Sequence, residues 1–379
     1  MHETKAKVKF PTVRVLACRS TMLRAGLLGL LSSGKTTLFQ LLTSVREAPR
    51  THGKAEANVG VSRVPDDRLD RLTALFNPQR RVPATVEFAD MAAGRGDAKS
   101  LLDVAAFRNA DALLHVVRAF HDPAVPHPRE TVDPARDIQM IEEELILADL
   151  GVVEKRLERL EKDLKKNPSP DLKKEQEILL RGKPALEAGR ALRTLGLTGD
   201  DAKRLRGFQF LSAKPLLVVL NVDEADAAKT DDVAGAFGLP DLAASGMAAA
   251  GVCAKIELEI AALDPADAAA FMADLGLKQS GLDRIIRAAY DLLGYMSFFT
   301  VGEDECRAWS IPRNTPAQEA AGAIHSDIQR GFIRAEVVAC DALLARGSLA
   351  ACRDHGELRL EGKDYLVADG DVINFRHAT

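Results

Sequence analysis

Short apolar runs alternate with longer polar or amphipathic stretches along much of the chain. The runs are rich in Val, Leu or Phe, have the length of buried strands, and lie at residues 22 to 29, 84 to 89, 112 to 117 and 215 to 220. The stretches between them are long enough to hold helices. This alternation predicts an α/β fold with a mostly parallel sheet and helices packed on its faces.

A different pattern occupies residues 133 to 207. Asp133-Pro134 is a typical helix start, because Asp accepts hydrogen bonds from free amides and Pro loses no needed donor in the first turn. Apolar residues then recur at three- and four-residue intervals as far as Leu164. The segment 167 to 170, Asn-Pro-Ser-Pro, must end this helix before a second one begins. The pattern predicts an antiparallel helical hairpin inserted into the α/β domain, which acts either as a docking arm or simply as two helices with solvated outer faces.

After residue 293 the chain changes to short strands and turns, such as the tight-turn pair Asp369-Gly370, which predicts a separate small α+β domain. With 379 residues the chain is too long for a single ordinary core. The predicted domains are a disordered extension at 1–21, an α/β domain in two parts at 22–132 and 208–293, a helical insertion at 133–207, and a C-terminal domain at 294–379.

Composition and charge narrow the possibilities. The formal net charge of −4 provides no overall basic field, so any nucleic-acid contact requires a local basic patch. The five cysteines form no C-x-x-C pair, which argues against a zinc site or a disulfide framework and favours the reducing cytoplasm. No apolar run approaches the roughly 20 residues needed to cross a bilayer, so we expect no membrane association.

Residues 29 to 36, Gly-Leu-Leu-Ser-Ser-Gly-Lys-Thr, match the pattern G-x-x-x-x-G-K-[ST] between a predicted strand and a predicted helix. In this P-loop the glycines allow successive amides and the helix N-terminus to face phosphates. Lys35 is expected to neutralise phosphate charge, and the Thr36 hydroxyl is expected to bind Mg²⁺. Asp90, at the end of another predicted strand, is the expected second metal-linked residue, although the glycine that usually follows such an aspartate by three positions is replaced here by Ala93.

Base recognition is expected to follow the strand at 215 to 220, where the sequence reads Asn221-Val222-Asp223-Glu224. Guanine-specific proteins have N-K-x-D in this place. Because Glu224 is longer than Asp and Val222 replaces the lysine, we expect adenine to be accepted. The segment Cys253-Ala254-Lys255 is similar to the S-A-K loop of GTPases, so GTP is the alternative nucleotide.

Taken in order, these segments resemble the YchF/Obg-like ATPase family from residue 22 to residue 375. The resemblance implies a P-loop G domain interrupted by a coiled-coil domain and followed by a β-grasp TGS domain, with ATP preferred to GTP, Mg²⁺ as cofactor and association with the ribosome or RNA. It also implies that His115 is a candidate catalytic residue beside Lys35, although a packed strand histidine is an equal alternative. The implied nucleotide-binding residues are Gly29, Ser32, Ser33, Gly34, Lys35, Thr36, Thr37, Asn221, Val222, Glu224, Cys253 and Ala254, with Thr36 and Asp90 at the metal. Besides the P-loop, the matching segments are 58–61, 65–70, 78–80, 87–90, 115–120, 221–224, 307–312, 324–327, 331–335 and 361–365.

Two departures from the family pattern concern hydrolysis. Lys54 stands where the family has a magnesium-binding threonine, and the second switch, at residues 93 to 99, is shorter and poorer in glycine. A lysine cannot ligate a metal cation. Nucleotide binding is therefore a firmer expectation than turnover, and a nucleotide-gated binding module with little catalysis is an alternative to a slow ATPase.

The C-terminal domain contains side chains suited to an RNA backbone. Trp309 and Phe332 can stack on bases, but a small β domain needs aromatic residues in its core, so we expect both to pack internally. The candidates for a local basic face are Arg307, Arg313, His325, Arg330 and Arg334.

Overall fold

The computed structural model describes residues 24–43, 58–90, 103–197 and 199–378. These residues group into two compact units. The first comprises the described parts of Leu23–Val61 and Glu87–Leu292, and the second comprises Ser62–Val86 and the described part of Leu293–Thr379. The expected disordered extension at 1–21 lies outside the described residues.

The described residues form strands, helices and several short 3₁₀ turns. The strands are β1 (Arg24–Leu28), β2 (Asn58–Arg63), β3 (Arg80–Val82), β4 (Thr85–Asp90), β5 (Ala112–Ala119), β6 (Leu216–Val222), β7 (Met247–Val252), β8 (Tyr295–Thr300), β9 (Glu305–Pro312), β10 (Phe332–Ala339), β11 (Arg359–Glu361) and β12 (Asp371–His377). The helices are α1 (Lys35–Thr43), α2 (Asp67–Phe76), α3 (Pro134–Lys166), α4 (Pro170–Glu187), α5 (Gly199–Leu205), α6 (Val233–Ala236), α7 (Ala254–Ile260), α8 (Pro265–Asp274), α9 (Gly281–Leu292), α10 (Ala317–Ile324), α11 (Ser326–Arg330), α12 (Cys340–Arg346) and α13 (Leu349–Asp354).

The first unit is built on a six-stranded sheet in the order β2-β4-β1-β5-β6-β7. Strand β1 pairs in parallel with both β4 and β5, and β5-β6 and β6-β7 are parallel as well. Every residue of β5 and β6 is buried, as expected for central strands covered on both faces. The predicted α/β class is therefore confirmed, and the four apolar runs correspond to β1, β4, β5 and β6.

Helices α3 and α4 form an antiparallel pair within the first unit. Asp133 caps α3 by accepting from the N–H of Arg136 at 3.0 Å, and the chain leaves this helix at Asn167. The guanidinium of Arg156 on α3 binds the carboxylate of Glu175 on α4 at 2.6 and 3.0 Å. At the other end, the fully buried Asp149 on α3 accepts hydrogen bonds from the N–H groups of Leu211 and Ser212, at 3.0 and 2.7 Å, just before β6. The long helix is thus anchored to the parallel sheet.

The second unit contains a sheet in the order β11-β10-β12-β8-β9-β3. Its edge strand β3 comes from residues 80–82, and each of these residues pairs with a residue of the parallel strand β9 that lies 225 positions later. Leu69 and Leu72 of the preceding helix α2 are fully buried. Residues 62–86 were predicted to belong to the first part of the α/β domain. In the structure they group with the C-terminal residues, because β3 pairs with β9 and α2 packs within the same unit.

Trp309 and Phe332 pack against the core of the second unit, as expected. Trp309 lies over Phe298 with a centroid separation of 6.4 Å, and its indole N–H donates to the Thr300 hydroxyl at 3.0 Å. Within the described parts of the chain, every helix is too short or too polar to act as a membrane span.

Candidate nucleotide-binding site

The glycine-rich loop connects the end of β1 to the start of α1, and its backbone has conformations that require glycine. Gly29 and Gly34 have φ values of 147° and 93°. A Cβ atom on Gly29 would lie 2.3 Å from the carbonyl oxygen of Val116, and one on Gly34 would lie 2.4 Å from the side-chain nitrogen of Asn221. Both glycines are therefore required by conformation and by close approach. Ser32, with φ of 60°, also lies in the left-handed region.

Lys35 folds back over the loop. Its ammonium donates to the carbonyl oxygens of Gly29 at 2.9 Å and Leu30 at 2.6 Å. An ammonium has three N–H donors, so these two hydrogen bonds within the described part of the chain leave one donor for a ligand above the loop. Burial lowers the pKa of Lys35, and the nearby carboxylate of Asp90 opposes this shift.

Thr36 and Asp90 bring two oxygen donors together next to Lys35. The Thr36 hydroxyl donates to the Asp90 carboxylate, although the two residues belong to α1 and β4. Burial raises the pKa of Asp90, and both the charge of Lys35 and this hydrogen bond oppose the shift. The described residues contain no cluster of three or more His, Cys, Asp or Glu side chains that could hold a metal alone. A hydroxyl and a carboxylate nevertheless suit Mg²⁺, which binds one or two protein oxygens together with phosphate oxygens and water.

The remaining P-loop residues differ in exposure. Ser32 is exposed, and Thr37 is half-buried in the first turn of α1. Ser33 is 2% exposed, and its hydroxyl has no hydrogen-bond partner among the described residues. A buried hydroxyl without a partner is costly, so this loop has an unused polar group next to the expected phosphate position.

Asn221 connects the P-loop to the loop after β7. Its side-chain N–H donates to the carbonyl of Ser33 at 3.2 Å, and its side-chain oxygen accepts from the N–H of Ala254 at 3.1 Å. Cys253 is buried, which raises the pKa of its thiol. Three predicted site segments therefore meet at the carboxyl ends of the parallel strands, although Ser33 and Ala254 are 221 positions apart in the sequence.

Val222 was expected beside the base, but its side chain lies in the hydrophobic core cluster and is 2% exposed. Successive strand residues point to opposite faces, so Asn221 faces the P-loop while Val222 faces the other side of the sheet. The Val222 side chain is therefore not available to a ligand in this conformation.

Glu224 lies at the expected place beyond β6, with its side chain 49% exposed. One of its carboxylate oxygens is 2.9 Å from the ammonium of Lys255. Lys255 belongs to the S-A-K-like segment but was not among the predicted site residues. That short motif was the available signal, but the ion pair depends on the spatial proximity of β6 and β7.

His115 lies in the middle of the parallel sheet, on β5, opposite Leu28 of β1 and Val218 of β6. It is 1% exposed, and its Nε2 atom has no hydrogen-bond partner among the described residues. Burial, with a smaller contribution from the charge of Lys35, lowers the pKa of His115 to about 3. The burial, together with a pKa that makes the ring a weak base, favours the packed strand histidine over an exposed catalytic base. Lys54 and the second switch at 93 to 99 lie outside the described residues.

The phosphate loop lies between β1 and α1 of a parallel sheet, with the Thr36–Asp90 pair at its mouth and the Asn221 side chain bonded to Ser33. This arrangement defines a nucleotide-binding P-loop protein with a GTPase-like fold. A family model named YchF-GTPase_C, described as "Protein of unknown function (DUF933)", matches residues 295–378. The chain is 44% identical over 368 residues to the "Ribosome-binding ATPase YchF" of Bacillus subtilis strain 168, covering 93% of this chain and 99% of that protein. The chain belongs to the YchF family.

Two further relatives extend the comparison to eukaryotes. "Obg-like ATPase 1" of Oryza sativa subsp. japonica is 34% identical over 376 residues, which cover 96% of this chain and 94% of the relative. The solved structure of the Schizosaccharomyces pombe YchF GTPase matches with a TM-score of 0.83 and 28% identity, covering 97% of this chain and 100% of the other. The family resemblance expected from the sequence is therefore confirmed along almost the whole chain.

Proposed function

We propose that this protein is a slow Mg²⁺-dependent ATPase of the cytoplasm that associates with the ribosome or RNA. The observation that carries the proposal is the grouping of the Lys35 ammonium, the Thr36 hydroxyl and the Asp90 carboxylate at the P-loop mouth. The names of the relatives from Bacillus subtilis and rice, both ATPases, support ATP as the nucleotide. The finer architecture of the proposal is a G domain with an inserted coiled-coil domain at 133–207 and a β-grasp TGS domain at 294–379.

In the proposed reaction the free donor of Lys35 and the main-chain amides of residues 32 to 37 hold the β- and γ-phosphate oxygens. These groups are placed before the substrate arrives, so they stabilise the charge that develops as water attacks the γ-phosphate. Bound Mg²⁺ neutralises phosphate charge, and Thr36 and Asp90 are the residues that would hold it. The Asn221 side chain holds the loop in position by donating a hydrogen bond to the carbonyl oxygen of Ser33.

The direct test measures ATP binding and phosphate release with and without Mg²⁺ for the wild type and for Lys35→Ala. The variant is expected to lose both activities, because it removes the charge nearest the phosphates. Lys229→Ala is the matched control, since Lys229 is an exposed lysine whose ammonium pairs with Asp226 at 2.6 Å. Equal phosphate release by the wild type and Lys35→Ala would remove the enzymatic part of the proposal.

A nucleotide-gated binding module with little turnover is the second candidate. It is supported by the departures at Lys54 and Ala93 and by the burial of His115, whose side chain is only 1% exposed. A single-turnover experiment with labelled ATP separates the two candidates. The slow ATPase converts bound ATP to ADP over time, whereas the binding module keeps the triphosphate intact.

GTP is the alternative substrate, because the Schizosaccharomyces pombe relative is titled a GTPase. Calorimetric titration of ATP and GTP under identical Mg²⁺ conditions decides between an ATPase and an Obg-type GTPase. We expect tighter binding of ATP, and a clear preference for GTP would replace the ATPase proposal.

Ribosome or RNA association is proposed through the helical insertion and the C-terminal domain, following the name of the bacterial relatives. In the second unit, the Arg307 guanidinium lies 4.0 Å from the centroid of Trp309 and 3.7 Å from the Glu305 carboxylate. These two contacts fix its position and leave 38% of the side chain exposed. Co-sedimentation with ribosomes in the presence of ATP, ADP or no nucleotide tests the association. The double variant Arg307→Ala/Arg334→Ala is expected to lose co-sedimentation. The control variant Arg129→Ala is expected to keep it, because Arg129 is exposed and lies outside both proposed contact regions.

A further inference from the structure

Glu224 and Lys255 form an ion pair at the edge of the sheet where the base of a nucleotide is expected. Glu224 follows β6 and Lys255 lies in the first turn of α7, directly after Ala254, whose N–H binds Asn221. The Glu224 carboxylate and the Lys255 ammonium are 2.9 Å apart, and their side chains are 49% and 69% exposed. The pair is therefore open to a ligand and connected to the P-loop through Asn221.

Asp223, the charged residue next to Glu224, bonds a different partner and does not compete for the Glu224–Lys255 pair. The carboxylate of Asp223 accepts from the main-chain N–H of His121 at 3.1 and 3.2 Å and lies 3.3 Å from its ring nitrogen. Asp223 is thus already occupied by the end of β5. The hydrogen bond to Glu224, with further contributions from nearby acidic groups including Glu259, raises the pKa of Lys255, so its ammonium stays charged at neutral pH.

A carboxylate alone and a carboxylate paired with an ammonium present different hydrogen-bonding patterns. A lone carboxylate offers only acceptors, which suit the adjacent N1–H and N2–H donors of guanine and oppose the N1 lone pair of adenine. Adding an ammonium gives one acceptor and one donor side by side. Adenine fits this pattern through its N6–H donor and N1 acceptor, and guanine fits it through its N1–H donor and O6 acceptor.

We propose that Lys255 is a specificity-determining residue that allows this site to accept adenine, because its ammonium supplies the donor that Glu224 lacks. The proposal rests on the proposed nucleotide-binding function of the same site. The Lys255 ammonium thus provides a favourable contact to adenine, in addition to the unfavourable geometry of Glu224 for guanine. It also assigns Lys255 a role that the local motif alone does not define.

The test is calorimetric titration of MgATP and MgGTP into the wild type and Lys255→Ala. The ratio of the ATP to the GTP dissociation constant is expected to rise about three- to tenfold in the variant, as expected for one lost hydrogen bond. Lys255→Arg keeps a donor and is expected to retain the wild-type ratio. Glu224→Gln added to Lys255→Ala provides an acceptor and a donor from one amide and is expected to restore much of the ATP binding.

Lys229→Ala serves as the charge control, because it removes a comparable exposed lysine ion pair elsewhere in the same unit. An unchanged ATP-to-GTP ratio in Lys255→Ala, with both nucleotides still bound, overturns the inference alone. An equal change in Lys229→Ala also overturns it, because the effect would then be one of general charge. Absence of binding of either nucleotide to the wild type refutes the proposed function itself and the inference with it.

Discussion

The side-chain amide of Asn221 donates to the carbonyl oxygen of Ser33 at 3.2 Å, although the two residues are 188 positions apart. The same side chain accepts from the N–H of Ala254, so a single residue connects the phosphate loop to the loop after β7. All three residues are at most 6% exposed. The two loops that are expected to bind the two ends of a nucleotide therefore share one buried brace, the side chain of Asn221.

Removing this brace is expected to affect both stability and ligand affinity. Asn221→Ala leaves the N–H of Ala254 and the carbonyl of Ser33 buried without their partner, at a cost of about 1–3 kcal/mol in the free energy of unfolding. Urea unfolding measures this cost, and ATP titration measures the accompanying loss of affinity. Asn374→Ala is the control, since its amide bonds Glu336 at 2.8 Å in the second unit and should leave ATP binding intact. Equal ATP affinity of the wild type and Asn221→Ala would contradict this role.

Gly34→Ala is expected to lower ATP affinity by about tenfold or more, the effect of losing one hydrogen bond to a charged group. The new Cβ would lie 2.4 Å from the Asn221 side chain, which is held at both ends, and the φ of 93° is unfavourable for alanine. Gly189→Ala provides a matched control, because Gly189 has a φ of 70° with no atom within 4 Å of the added carbon. Both variants are therefore expected to lose similar stability through backbone strain. Only Gly34→Ala, which lies in the phosphate loop, is expected to lose ATP affinity. Normal ATP affinity in Gly34→Ala would show that the loop tolerates the displacement.

His115 is expected to make the protein sensitive to mild acid. Its pKa is lowered to about 3 in the folded protein from the ordinary 6.5, so the unfolded chain takes up a proton first as the pH falls. Stability is therefore lost as the pH falls from about 6.5 towards 3, by about 2 kcal/mol between pH 7 and pH 5. Denaturant unfolding of the wild type and His115→Gln across this range checks the difference. Parallel pH profiles of the two proteins would show that the imidazole is not held neutral.

Leu72→Ala tests whether α2 is part of the second unit's core. Leu72 is fully buried, so the expected loss in the free energy of unfolding is about 2–5 kcal/mol. Leu75→Ala, on the same helix but 36% exposed, is expected to cost much less. Hydrogen exchange locates the effect, with faster exchange expected in peptides from 293–378 as well as from 62–86. A change restricted to peptides of 67–76 would show that the two segments do not unfold together.

Several features could be predicted because they depend on neighbours in the sequence. The P-loop pattern, the capped start of α3 at Asp133 and its end at Asn167 each follow from the preferences of a few adjacent residues. The four buried strands were recognisable because central parallel strands need continuous apolar runs. The family resemblance depends on many such segments in the same order, and the relatives confirmed it.

The structure departs from the sequence-based expectation, or decides between alternatives, where the environment of a residue depends on partners far away in the sequence. Val222 and Asn221 are adjacent in the sequence, but the sheet places one in the core and the other against the P-loop. His115 was predicted on a strand, where a side chain is either packed or exposed, and in the structure it is 1% exposed on a central strand of the sheet. Residues 62–86 look like a continuation of the α/β domain, but β3 pairs with a strand far along the chain.

The sequence by itself determined the phosphate loop, the α/β class and the long helical insertion, because hydrogen bonds and φ preferences within a few residues specify them. Only the tertiary structure decided that Lys255 reaches Glu224, that Asn221 braces Ser33 and that α2 and β3 join the C-terminal residues. These contacts form between segments separated by tens to hundreds of residues. Their geometry is set by how the strands pair and which faces they bury, and periodicity along one segment carries no information about its partner.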